Sequence, residues 1–243
     1  MATSNRADWL IPSGLITLAL IPVLAGMIRL IQLASGDAVT PENARFFGAP
    51  LPVVLHIISV TIYSLLGAFQ FAPGFRRKRP DWHRAAGRIL VGAGLVVALS
   101  GLWMAMFYAI VPADSALLHG FRLFFGSAMA LSILLGYRAI RRRDVARHQD
   151  WMRRAYAIGL GAGTQALTQL PLLLIFGVPN ELTLALMMGA AWVANLGVAE
   201  WLIRRSPSDV SVPRRGTSRP LLVNHPSESA LRRKEQDHLP SRG

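Results

Sequence analysis

The sequence predicts an all-α protein: a six-helix transmembrane bundle with a four-helix histidine-bearing core and a disordered cytoplasmic C-terminal tail. Three observations predict it. Of 243 residues, 52% are hydrophobic and only 16% charged, and the mean hydropathy is +0.38. The apolar residues gather into runs of the roughly 20 residues that cross a hydrocarbon core about 30 Å thick. Basic residues collect between alternate runs. The composition excludes a largely disordered chain, a collagen-like repeat and an ordinary soluble globule. The absence of cysteine excludes a disulfide framework, thiolate zinc, iron–sulfur clusters and a cysteine nucleophile.

Six runs read as spans, at about 9–33, 51–72, 85–110, 117–137, 155–176 and 182–203. They are too long and too continuously apolar for barrel strands. The first, preceded by Arg6, exceeds a signal-peptide core and lacks an A-x-A cleavage site, so it is retained. Arg29 within it can snorkel to the headgroups. Start signals stand where helices should begin: Pro80–Asp81 before the third span, Asp114–Ser115 at the fourth and Asn180 at the sixth. The fifth carries Gly159 and Gly163 in a GxxxG pattern, and Pro171, which kinks it or is tolerated beside neighbours. In the sixth, Glu200 precedes Arg204 by one turn, predicting an i,i+4 ion pair. Gln165, Thr168, Gln169 and Asn195 predict a polar seam between the last two spans: interhelical hydrogen bonding, or a lining for a quinone or other small substrate. Residues 206–243 turn to Ser, Pro, Arg and Glu, too polar to fold alone, and His225 and His238 there are read as inert.

All 26 basic residues except Arg29, Arg45 and Arg122 fall on one side of this topology. Lysine and arginine accumulate in the cytoplasm, so both termini are expected there, in a bacterial-type inner membrane. The net charge of +13 is thereby explained by topology. No nucleic-acid-binding motif accompanies it, and attraction to anionic lipid is a by-product.

The remaining histidines, His56, His83, His119 and His148, each lie near the beginning of a different span, the second through the fifth. Because successive spans alternate in direction, His56 and His119 fall near the outer face and His83 and His148 near the cytoplasmic face. Two imidazoles at one depth can hold a haem b as axial ligands, so one or two haems are expected. Glycines provide room: Gly87, Gly94 and Gly101 in the third span, Gly120 and Gly126 in the fourth, Gly159 and Gly163 in the fifth. Arg45, Arg122, Arg88 and Arg154 stand ready for propionates. The plainer readings are interfacial histidines bonded to headgroups or water, and glycines serving helix packing. Tyr63, Trp103, Tyr108 and Trp201 suit interfacial or haem-flanking positions equally.

The segments LHIISVTIYSLLGAFQF, PDWHRAAGRILVGAG, HGFRLFFGSAMAL and RHQDWMRRAYAIGLGAGTQ resemble the domain of unknown function 2306 family of predicted bacterial membrane proteins, over roughly residues 43–200. The pairs His83 with Arg88 and His148 with Arg153 help carry the likeness, which implies a multi-span protein and no particular activity. The histidine layout is also similar to the six-helix cytochrome b561 fold. That resemblance implies two haems, His56 pairing with His119 and His83 with His148, although no motif for ascorbate or ferric-chelate binding is found.

The expected function is thus a b-type haem electron carrier, a component of a membrane oxidoreductase working with a quinone or another redox partner. Two other classes compete. A small transporter is opposed by the lack of a visible broken helix, inverted repeat or mid-membrane acid. A structural or accessory subunit would leave the histidines merely decorating the interface. An intramembrane zinc hydrolase is disfavoured, because carboxylates are nearly absent from the spans.

Overall fold

The computed structural model describes residues 3–110 and 115–205. The Asp114 cap, the side chain of Arg6 and the tail from residue 206, with His225 and His238, lie outside the described residues. Among the described residues every regular element is helical: α1 (Thr3–Ser35), α2 (Ala44–Gly48), α3 (Pro50–Ala68) extended by a 3-10 turn (Phe69–Phe71), α4 (Pro73–Lys78), α5 (Pro80–Phe107), α6 (Ala116–Arg141), α7 (Val145–Gly159), α8 (Gly161–Phe176) and α9 (Glu181–Arg205). Six segments are long and apolar enough to span: Trp9–Ser35, Pro50–Phe71, Pro80–Phe107, Ala116–Arg141, Val145–Phe176 and Glu181–Arg205.

The ends follow local chemistry. Pro80 opens α5, where its missing N–H costs nothing. The Ser115 hydroxyl accepts the Leu118 N–H at 3.2 Å, and Asn180 Oδ1 accepts the Thr183 N–H at 2.8 Å. At the end of α6, Arg143 takes φ +62°, the Asp144 N–H bonds Ala139 O at 3.0 Å and the Arg143 N–H bonds Ile140 O at 3.0 Å. This is a Schellman closure. Asp144 at once caps α7 by accepting the Arg147 N–H at 3.0 Å. One short turn therefore reverses the chain and lays α7 back along α6.

Helices α3, α5, α6 and α7 pack in a ring, with α1 against α3 and α8, and α9 against α6, α7 and α8. The core is small and apolar: Leu90, Val97, Phe125, Met129, Ile133 and Ile158 surround the buried rings of Tyr63 and Tyr156. Outward, leucines, isoleucines and phenylalanines such as Leu24, Ile31, Leu99, Phe124, Leu174 and Phe176 stand exposed. A water-soluble domain does not leave so continuous an apolar surface bare; a lipid-embedded one must.

Span five differs from its expected form. It begins ten residues earlier than the apolar run, and it is broken in mid-course at Leu160, between α7 and α8. Asn195 of α9 donates to the Ala157 carbonyl at 3.1 Å, the acceptor that the Gly161 N–H would meet in a continuous helix. The Thr164 hydroxyl in turn donates to Asn195 Oδ1 at 2.8 Å. A side chain inserted into the backbone ladder is a recognised cause of such a kink. Beyond it, α8 packs chiefly on α9 and α1, so the four-helix ring loses a wall at that end. Asn195→Leu is expected to lower stability in detergent by about 0.6–2 kcal/mol, the range for an interhelical polar contact. Thr164→Val added to it should cost little more, since its partner is already gone; thermal denaturation of the two variants reads both.

Candidate functional site

His56, on α3, is half-buried. Its Nδ1 lies 3.1 Å from Val97 O and 3.0 Å from Ser100 Oγ, both on α5. Gly101 lies beside the ring, where a Cβ would make an ordinary contact with Cε1 at 3.4 Å. His56 also lines a cavity of about 160 Å³ between α1, α3 and the break in span five. His119, on α6, is half-buried, and among the described residues its ring makes no hydrogen bond. No hydrogen bond, ring contact or electrostatic interaction links it to His56.

At the other end, His83 and His148 are brought close enough to interact electrostatically, with Arg76 and Arg84 in the same neighbourhood. His148 Nδ1 lies 2.9 Å from the Gly136 carbonyl, which fixes that ring on α6. His83 Nδ1 is buried with no hydrogen-bond partner, as is Gln70 Nε2 on the turn after α3. One helical turn beyond His83, Gly87 faces open space, with no atom within 4 Å of an added Cβ.

The four arginines divide. Arg154 is held bidentately by Glu200 of α9, with Nη2–Oε2 at 3.0 Å, and lies over Trp151 at 4.7 Å. This overturns the expected Glu200–Arg204 pair: the stronger partner comes from another helix. Arg45 donates to Ala109 O at 3.4 Å and, with Arg29, stacks on Phe46 at 4.9 and 4.8 Å. Nearby the Tyr108 hydroxyl donates to Ala49 O at 2.7 Å, and burial holds it above the usual phenol range. Arg122 is half-buried and engaged, and Arg88 is exposed.

The polar seam is interhelical hydrogen bonding. Besides the Asn195 lock, Gln165 Nε2 donates to Met188 O at 3.2 Å, while Gln169 Nε2 is buried without a partner. Tyr63 is neither interfacial nor beside a histidine; it is 4% exposed, cupped by Gly94 and Gly159. Tyr156 packs on it at 5.7 Å and donates to Ser64 O at 2.7 Å. Gly163 serves a backbone approach: a Cβ there would strike the Leu18 carbonyl oxygen. Pro22, four residues on, cannot offer that carbonyl an N–H.

These facts test the fit of a haem. The inner pair meets the chemical requirement, with one imidazole orphaned beside another whose Nδ1 is anchored by a carbonyl, which leaves Nε2 for a metal. For the outer pair no such approach is seen among the described residues. His56 faces a cavity below the roughly 300–1,000 Å³ of sites for drug-sized ligands, and nothing joins it to His119. Sequence reasoning missed Ser100 and Gln70, whose polar side chains carry no spacing signal, and it named Asn195 for the seam without its hold on the Ala157 carbonyl.

Long helices with an apolar exterior, a thin polar seam and arginines at their ends define a multi-pass α-helical membrane protein. Residues 53–203 match the family described as Predicted membrane protein (DUF2306), and the chain belongs to that family. No curated protein and no solved structure matches it.

Proposed function

We propose that this protein is a b-type haem electron carrier whose haem is held by His83 and His148 near the cytoplasmic face. The single observation that carries the reading is that these two rings lie within electrostatic reach of each other, one orphaned at Nδ1 and the other anchored through Nδ1 to Gly136. Bound there, the haem would supply a reversible one-electron iron couple. The protein's own residues do the rest. The Gly136 carbonyl orients His148, and the open face at Gly87 leaves room on α5. Arg76 takes the place of Arg154 as a cation for propionates, since Glu200 already occupies Arg154 and Asp81 pairs with Arg84. A quinone or a cytoplasmic reductant is the proposed partner. The surplus of basic residues beside His83 and His148 supports the same side being cytoplasmic, with both termini there, in a bacterial-type inner membrane.

Protein purified from haem-replete cells is expected to give b-type bands in a reduced-minus-oxidised spectrum. His83→Ala and His148→Ala should each abolish them, and His119→Ala should retain them. A colourless wild-type protein, or bands lost with His119→Ala but kept with His83→Ala, overturns the assignment. The break in span five favours a second reading, a small-solute transporter, because discontinuous helices mark transporter binding sites. A colourless protein that passes solute across vesicles would select it.

A further inference from the structure

The cavity beside His56 has no part in the proposed haem site, and its chemistry is specific. Its walls are largely aliphatic, from Ala19, Pro22, Val23, Ile57, Val60 and Leu160, with glycines on three helices. The Thr61 and Ser64 hydroxyls that border it are spent on their own helix, donating to Ile57 O at 2.8 Å and Val60 O at 2.8 Å. Their donors are used, so what they leave a ligand is acceptor lone pairs only, and the further polar group is His56. Val97 O can only accept, and the Ser100 hydroxyl already donates to Val96 O at 2.6 Å. Both contacts at Nδ1 therefore require that nitrogen to carry the proton. A neutral imidazole so bonded keeps a bare lone pair at Nε2, which among the described residues has no hydrogen-bond partner. His56, one wall of the cavity, thus brings a free acceptor to its border, which favours a ligand that donates.

Size narrows the donor. About 160 Å³ is close to the roughly 150 Å³ of an apolar cavity that takes one benzene ring. The lining also reaches the outer surface: Ala162 borders the cavity and is exposed on α8. A ring seated inside could leave a tail in the surrounding lipid.

We propose that this cavity binds an aryl hydroxyl, the head of a phenol or hydroquinone, with its O–H donated to His56 Nε2. The site does not depend on haem. The test uses full-length protein in detergent, with phenol, its near-isostere toluene, and hydroquinone with and without a long alkyl tail. Saturable binding is read by ligand-observed NMR. Phenol and hydroquinone should bind at least tenfold more tightly than toluene. His56→Leu should remove that preference, and Ala162→Phe, which fills the mouth, should abolish binding of every probe. A further gain from the tail identifies a membrane quinol as the source; no gain identifies a small aqueous phenol, and either supports the site. Equal binding of phenol and toluene, phenol affinity unchanged in His56→Leu, or binding undiminished in Ala162→Phe overturns it. If His56→Leu fails to fold, Ala162→Phe and the phenol–toluene comparison still decide. Colour is not the readout, so failure here is separable from failure of the haem assignment.

Discussion

Tyr63→Ala is expected to destabilise the bundle by about 2–4 kcal/mol, towards the lower part of the about 3–5 kcal/mol seen for aromatic-to-alanine changes in soluble cores. The ring is the keystone of the four-helix core. Ideal Cβ atoms at Gly94 and Gly159 would lie 2.6 and 2.8 Å from its edge carbons, so α5 and α7 approach only because those residues lack side chains. Lipid tails are as apolar as the core, so the transfer term is small in a membrane. What the alanine loses is dispersion contact around a cavity that the ring of helices cannot close. Tyr63→Phe should be nearly neutral, because among the described residues the hydroxyl makes no hydrogen bond. Gly159→Ala should destabilise alone by overpacking and do much less harm in the Tyr63→Ala background, a coupling of about 0.5–3 kcal/mol. Denaturation in detergent measures all four variants. A Tyr63→Ala protein no less stable than one with the lipid-facing Leu99→Ala would refute the keystone.

Arg154→Met carries the second large effect. It leaves Glu200 on α9 with only the weaker pull of Arg204, and the pair ties α9 to α7 through two parallel hydrogen bonds. Breaking a fully buried pair costs about 3–5 kcal/mol. Here the side chains are 25% and 36% exposed, so water repays part and the expected loss is about 1–3 kcal/mol. Replacing both residues, Arg154→Met with Glu200→Leu, should recover most of it, because no stranded charge remains. Thermal midpoints of the single and double variants give the cycle. Strict additivity would mean that the two side chains do not act together.

Much of this was legible in the chain. The six spans came through with ends shifted by a few residues, because hydrocarbon thickness fixes the number of apolar residues a helix needs and loop charges mark where it stops. Span five is the exception. Its first turns, with Arg147, Asp150, Arg153 and Arg154, are too polar to register as membrane, yet Asp144 caps them and two ion pairs, Arg153–Asp150 and Arg154–Glu200, hold them. The histidines were legible as two pairs of matched depth, and of these His83 and His148 come within electrostatic reach of each other. Matched depth is a property of chain direction, whereas meeting depends on how each ring is turned. Ser100 and the Val97 carbonyl draw His56 toward α5, and no pattern in the sequence announces that.

By itself, then, the sequence determined that this protein lives in a bilayer, how many times it crosses, and where most helices begin, since those follow from hydropathy, capping and charge acting locally. Only the tertiary structure decided that His83 and His148 come within electrostatic reach, that Glu200 chooses Arg154 over the arginine one turn away, and that span five breaks at Leu160. Each of those depends on a group from another helix reaching the right atom, Asn195 on the Ala157 carbonyl above all. Contacts between residues about 40 positions apart leave no trace in local periodicity.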